Sequence, residues 1–182
     1  MDINGGGWTV FQKRFDGSVG FYRTFEEYKY GFGNASGEYW LGNEYVHYIT
    51  TKRNCSLRID LWDWLGKTAH NIYSVFWIDS EQSEYTLHVK GVQGNAGGMF
   101  IAHNGQMFSA SDRDNDRWSG SCAQHYMGGW WFGICYYSNL NGLYRRPGGS
   151  YGFNTTSTLG WRDNAFKIKS LKATRMMIKR RN

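Results

Sequence analysis

The sequence predicts an α+β fold, in which an antiparallel sheet is followed by a loop-rich recognition lobe. Three observations carry that prediction. Aromatic residues fill 18% of the 182 positions, as 9 Trp, 13 Tyr and 11 Phe, and such rings favour strands. Glycine is abundant at 24 while proline occurs once, a balance that disfavours helices and permits tight turns. Runs that alternate apolar with polar residues occupy the first half, then fail from Gly94 to about Arg162, where Gly, Asn, Asp, Ser and aromatics dominate. A long irregular stretch inside one domain marks a functional loop region.

The elements follow in order. Gly6 to Arg14 reads as a strand with Asp16-Gly17-Ser18 as its turn, and Phe25 to Tyr30 has the i, i+3, i+4 aromatic spacing of a short helix stopped at Gly31. Ser56 to Asp63 alternates apolar with polar residues, predicting a strand with one wet face, and Tyr73 to Ile78 and Tyr85 to Val89 form further strands around a Ser-Glu turn. Strand character resumes from Ala165 to Ile178. With no linker, repeat or low-complexity tract, the chain is one domain over residues 1–182. Its sheet-containing lobe takes about 1–93 and 163–182, and its loop-rich lobe about 94–162.

Several function classes are excluded. No apolar window is long enough to cross a bilayer, so membrane insertion is not expected. The net charge of +6, from 21 Lys and Arg against 15 Asp and Glu, invites a nucleic-acid reading. Much of the excess instead lies at the C-terminus, in Lys167, Lys169, Lys172, Arg175, Lys179, Arg180 and Arg181, without any nucleic-acid-binding motif. A solvated basic edge fits better, with attraction of acidic glycans as a secondary role. No nucleophile elbow, zinc-protease motif, P-loop or dinucleotide fingerprint occurs, so no enzyme is expected. His103-Asn104-Gly105 reads as a tight turn.

Three sequons, at Asn34, Asn54 and Asn154, point to the secretory route. The spacing of Cys122 and Cys135 suits a small disulfide loop, with three buried free cysteines as the alternative. The odd Cys55 is either a free thiol or the half of a bridge to a missing segment. Ser111 to Gly120 holds three carboxylates and an amide within five residues (Asp112, Asp114, Asn115, Asp116), the hard-oxygen chemistry of Ca²⁺. Arg113 and Arg117 can balance carboxylates that do not bind an ion, and a cluster of Asx turns is the other reading.

Gly5 to Ser18, Tyr28-Lys29-Tyr30-Gly31-Phe32-Gly33, Gly37 to Glu44, Leu57 to Leu61, Gly94-Asn95-Ala96-Gly97, His103-Asn104-Gly105, Gly129-Trp130-Trp131 and Ser138 to Gly142 occur in this order. Together they resemble the fibrinogen-related domains, a family that includes ficolins, tachylectins, tenascins and angiopoietins. The resemblance implies a secreted fold with a calcium- and ligand-binding lobe, and a small N-terminal subdomain absent here. It implies Ca²⁺ on Asp114 and Asp116 with carbonyls of Trp118 and Gly120, a Cys122–Cys135 disulfide, and a cis peptide at Ile134-Cys135. By the same resemblance, a ligand pocket lies beside that bond, formed by Tyr126, Ile134, Cys135, Tyr136, Tyr151 and Gly152 with Lys167 at its rim. Tyr136 stands where the family's lectins usually carry His, and Trp161 leads into Arg162-Asp163-Asn164 instead of an aromatic run. Arg145, Arg146, Arg162 and Lys167 then favour an anionic ligand. The expected function is a secreted, calcium-dependent pattern-recognition lectin for acetylated or acidic glycans on microbial or host surfaces. The alternative is an extracellular module that docks on a receptor or matrix protein. A homo-oligomer is expected for the full-length protein.

Overall fold

Thr9, Phe11 and their neighbours open the first strand, and the last strand of the chain returns to lie beside it. The computed structural model describes residues 7–51, 54–145, 159–161 and 169–181. In chain order the elements are β1 (Thr9–Arg14), α1 (Phe25–Tyr30), β2 (Phe32–Gly33), β3 (Tyr39–Trp40), α2 (Asn43–Thr51), β4 (Cys55–Trp62), β5 (Thr68–Ile78), β6 (Leu87–Gly94), α3 (Cys122–His125), β7 (Ser138–Asn139), β8 (Gly160–Trp161), β9 (Lys169–Ser170) and β10 (Ala173–Arg180). A seven-stranded sheet runs β2-β3-β1-β10-β4-β5-β6, with every pairing antiparallel. A second sheet, β7-β8-β9, joins two strands of the loop-rich part to β9, which lies in the stretch 163–182 expected in the sheet lobe. The architecture is α+β, and the irregular region follows β6 as the sequence predicts.

Local chemistry explains the predicted elements. Helix α1 starts in a capping box, where Thr24 accepts from the Glu27 N–H at 3.2 Å and the Glu27 carboxylate accepts from the Thr24 N–H at 2.9 Å. It stops at Gly31, whose φ of +90° suits glycine, and a Cβ there would meet the Leu41 carbonyl oxygen at 2.3 Å. Helix α2 carries no sequence expectation. Its Tyr45-Val46-His47-Tyr48-Ile49-Thr50-Thr51 run has poor helix propensity. Packing overrides that preference: Val46 and Thr50 are buried, and the His47 Nδ1 lies 2.8 Å from the Ile78 carbonyl of β5.

One expectation is corrected here. The expected wet face of β4 is dry in its middle, where Asp60 is 4% exposed and Arg58 9%, while Ser56 and Trp62 at its two ends are half-buried. Asp60 accepts from Arg58 Nε and from Arg175 Nη2 of β10, each at 2.7 Å. A carboxylate paired twice can leave water, and the long arginine stems shield it.

A single aromatic core joins the sheet to the loops. Trp40, Trp130, Trp131 and Trp161 are fully buried in one cluster with Phe11, Tyr28, Phe76 and Phe108. The Trp131 indole donates to the Tyr85 carbonyl at 2.8 Å and that of Trp161 to the Ala96 carbonyl at 2.6 Å. Gly129 must be glycine, since a Cβ would stand 2.3 Å from the Tyr28 ring. Buried Gln12 of β1 donates to the Leu140 carbonyl at 2.7 Å, tying the sheet directly to the loops.

Candidate functional site

The loop after β6 is ordered by side chains that bond to backbone. Asn115 donates through Nδ2 to the Phe108 carbonyl at 2.7 Å, and its N–H donates to the Ser109 hydroxyl at 3.0 Å. Asp112 accepts the Phe25 N–H at 2.7 Å, which commits it to the start of α1. Arg113 turns away from the loop carboxylates, pairing with Glu84 at 3.2 Å and lying over the Phe25 ring at 3.9 Å. His103 is wholly buried. Its Nδ1 sits 2.7 Å from the Trp131 carbonyl and its Nε2 accepts the Ser138 N–H at 3.2 Å, so the neutral ring bolts two loop segments together. Burial pushes its pKa down to about 4.

Asp114 and Asp116 organise the loop itself. Asp114 Oδ1 accepts the Asp116 N–H at 3.2 Å. Asp116 accepts the Trp118 N–H at 2.8 Å and the Cys122 N–H at 2.7 Å. Burial pushes the Asp116 carboxyl up, and the adjacent Asp114 carboxylate pushes it further. Two carboxylates held together in this way suit a divalent cation. Among the described residues, the carbonyls of Trp118 and Gly120 accept no backbone hydrogen bond, leaving both for coordination. Among those residues no three His, Cys, Asp or Glu side chains converge on one point, so carbonyls and water would complete any ion's shell. The donor set fits calcium.

The Cys122–Cys135 disulfide is present, with Cα atoms 5.5 Å apart. Cys55 is buried outside any disulfide, its Sγ 3.8 Å from the Ile49 carbonyl. Asn34 and Asn54 are exposed; Asn154 lies outside the described residues.

The expected ligand pocket is altered. The Ile134–Cys135 peptide is trans, and no cis bond occurs among the described residues. Cys135 is not proline, so trans is favoured by about 3–4 kcal/mol, and the turn closes through a Gly133 N–H bond to the Cys135 carbonyl at 2.9 Å. Tyr126 and Tyr136 meet edge to face with centroids 4.8 Å apart, and both approach Phe132. These rings pack on each other and on the core instead of standing apart as free walls. Tyr151, Gly152 and Lys167 lie outside the described residues.

Sequence reasoning missed an apolar surface around the disulfide. Ile134 is 81% exposed, Tyr137 49%, Met107 43% and Trp118 40%. The chain segments that carry these residues meet: the Arg117 N–H donates to the Gly133 carbonyl at 3.0 Å, while Gln106 lies 3.5 Å from a Cβ placed at Gly133. Met107, Trp118 and Ile134 each follow one of these contact residues directly. Only the unusual presence of Ile134 in a Gly-rich loop hinted at it.

Residues 1–181 match the family described as fibrinogen beta and gamma chains, C-terminal globular domain. The chain belongs to this family. Angiopoietin-2 of Homo sapiens is 46% identical and angiopoietin-1 of Bos taurus 47% identical, each over 98% of this chain. The chain spans only 36% of the length of these relatives. Among solved structures, the fibrinogen-like globe domain of human ANGPTL2 superposes with a TM-score of 0.94 at 40% identity, covering 100% of this chain and 83% of that one. Lamprey fibrin D-dimer, complexed with the peptide ligand Gly-His-Arg-Pro-amide, gives 0.88 at 35% identity, covering 99% and 64%. The fibrinogen-like globe is a non-enzymatic binding domain, and among its described residues no helix is long and apolar enough to cross a membrane.

Proposed function

We propose that this fibrinogen-like globe is a secreted, extracellular protein-docking module that engages a cell-surface receptor or matrix protein through its loop-rich lobe. The observation that carries the reading is the exposed apolar surface of Ile134, Tyr137, Met107 and Trp118 beside the disulfide. Large apolar side chains left exposed beside a disulfide have the character of interface anchors. Kinship with angiopoietins supports protein docking over the lectin reading, and the close-packed Tyr126 and Tyr136 offer little to an acetyl group. The disulfide supports an oxidising, extracellular setting.

Calcium belongs to the same proposal. Asp114 and Asp116, with carbonyls of Trp118 and Gly120, would hold one Ca²⁺. The ion would supply positive charge between two carboxylates and brace the loop that presents Trp118. The N-terminal end of that loop is already fixed by Asp112 on α1 and its C-terminal end by the Cys122 bridge.

Clustered globe, binding to human cells, separates the two readings. Trypsin should abolish the binding, the globe of human angiopoietin-2 should compete for it, and enzymatic removal of N-linked glycans and sialic acids, with glycosaminoglycans left in place, should leave it intact. Binding that survives trypsin but is lost on deglycosylation would establish the lectin reading instead.

A further inference from the structure

The basic excess of the chain is not spent on the loop lobe. Strand β10 runs between β1 and β4 in the large sheet, and its register sets Arg175 opposite Lys13 on one side and opposite Asp60 on the other. An open groove of about 280 Å³ lies across these strands, lined by Lys13, Arg14, Phe15, Trp62, Lys172 and Arg175 among others. Four of its lining residues are cations, and Asp63 is its one carboxylate. Asp63 is 2% exposed, and its Oδ1 accepts the N–H groups of Leu65 and Lys67 at 2.8 Å each, so it faces its own turn. Arg14 is held by Glu38 and Arg175 by Asp60. Lys13 and Lys172 have no carboxylate partner among the described residues. Like charges directly opposite, as Lys13 and Arg175 are, cost stability unless a counter-charge lies near.

The walls are aromatic and fixed. The Tyr144 hydroxyl lies 2.6 Å from the Phe15 carbonyl and 2.9 Å from that of Lys172, joining the two sides of the groove. Arg175 sits over the Trp62 ring at 5.5 Å and Lys13 over the Phe15 ring at 5.2 Å. Cations poised over flat rings, with ammonium groups that no carboxylate neutralises, match a ligand built of rings that carry anions; among the described residues Lys13 donates only to the Ala35 carbonyl, at 3.4 Å. Beyond the groove, β10 runs through the buried Met176, Met177 and Ile178 to Lys179 and Arg180, and Arg181 follows it.

We infer that this groove is a binding site for a sulfated glycosaminoglycan chain, separate from the protein-docking surface of the loop lobe. Sulfate groups take Lys13 and Lys172 as partners, one sugar ring packs on Trp62, and the chain runs on toward the C-terminal cations. Such a site would concentrate the globe on cell-surface or matrix polysaccharide while its loop lobe stays available.

The test is titration of the globe with a heparin hexasaccharide at several salt concentrations. Lys13→Gln with Lys172→Gln should weaken binding at least tenfold and lower the slope of log K against log salt by roughly one to two. Arg180→Gln with Arg181→Gln removes the same charge outside the groove and should cost about twofold. Trp62→Leu should weaken binding without altering the salt slope, with a thermal melt confirming that this variant is folded. Equal losses from the two double variants would reduce the effect to diffuse attraction and overturn the groove. Absence of heparin binding would overturn it too, as would stronger binding of a poly-glutamate peptide, which would make the occupant an acidic protein segment. Competition by the angiopoietin-2 globe on cells reads the docking surface independently and should not change in the lysine variants.

Discussion

Glu38 should be among the most costly side chains to remove, although it touches no proposed ligand. It is fully buried between β2 and β3. Its Oε1 accepts the N–H groups of Phe15, Asp16 and Gly17 at 2.6, 3.1 and 3.0 Å, and its Oε2 that of Val19 at 3.2 Å. The same Oε1 lies 3.7 Å from Nε of Arg14, itself 1% exposed. Burial pushes the Arg14 guanidinium down from its ordinary pKa, and the Glu38 carboxylate opposes that shift. Glu38→Ala therefore strips a turn of its acceptor and leaves a buried cation uncompensated. The four N–H groups can reach water as the turn loosens, so the unpaired arginine sets the scale, about 3–5 kcal/mol. For a chain of this size that lowers Tm by roughly 10 °C. Glu38→Gln keeps an acceptor and should cost about half as much. Replacing Arg14 and Glu38 together by leucine should recover much of the loss, since an apolar pair can substitute for a buried ion pair. Chemical denaturation of wild type, Arg14→Leu, Glu38→Leu and the double variant closes the cycle. A cost below about 1 kcal/mol for Glu38→Ala, or simple additivity in the double variant, would refute the reasoning.

Three further outcomes follow from the loop lobe. His103 is native in its neutral form, with a pKa of about 4 against about 6.5 in an unfolded chain. The unfolded state therefore takes up the proton first. Stability is full above pH 6.5 and falls as pH drops toward 4, by about 3 kcal/mol at the limit. The difference between wild type and His103→Gln, measured by denaturation across that window, isolates the effect, and parallel curves would deny it. Replacing Cys122 and Cys135 by serine should cost about 3 kcal/mol in the loop-entropy account, read as a fall in Tm, whereas an unchanged Tm would show the bridge to be dispensable. Calcium at a hundredfold excess over its Kd should stabilise the globe by about 2.7 kcal/mol, and Asp114→Asn with Asp116→Asn should abolish that gain. Calorimetry without a calcium heat, together with a Tm indifferent to chelation, would remove the ion from the proposal.

Much of the sheet lobe was legible because its physics is periodic. Strands β1, β4, β5, β6 and β10 announce themselves by alternation, and α1 by aromatic spacing and its stop at Gly31. Thr24 and Glu27 also spelled out a capping box that could have fixed its start. Helix α2 was hidden because its β-branched and aromatic residues prefer strands and only contact with β5 makes them helical. The dry face of β4 was hidden for a different reason: Arg58 and Asp60 read as polar, and only Arg175, from the other end of the chain, makes their burial tolerable. In the loop lobe, order comes from single bonds such as Asn115 to Phe108 and His103 to Trp131, which leave no periodic trace. The disulfide and the Asp114–Asp116 pair were legible through resemblance. The trans peptide at Ile134–Cys135 was not, because a family pattern does not fix an individual bond. The apolar surface and the basic groove each join residues distant in sequence, so neither appears until the chain is folded.

Ile134 lies at the centre of the docking proposal, and its exposed side chain can be changed without touching the core. Clustered globe carrying Ile134→Asp, measured for trypsin-sensitive binding to cells against the wild type and the angiopoietin-2 globe as competitor, tests that proposal most directly. The account predicts at least a tenfold loss of binding, as expected for a central interface anchor, with Tm and heparin affinity unchanged. Full binding by this stable variant would place the docking surface elsewhere and contradict the account.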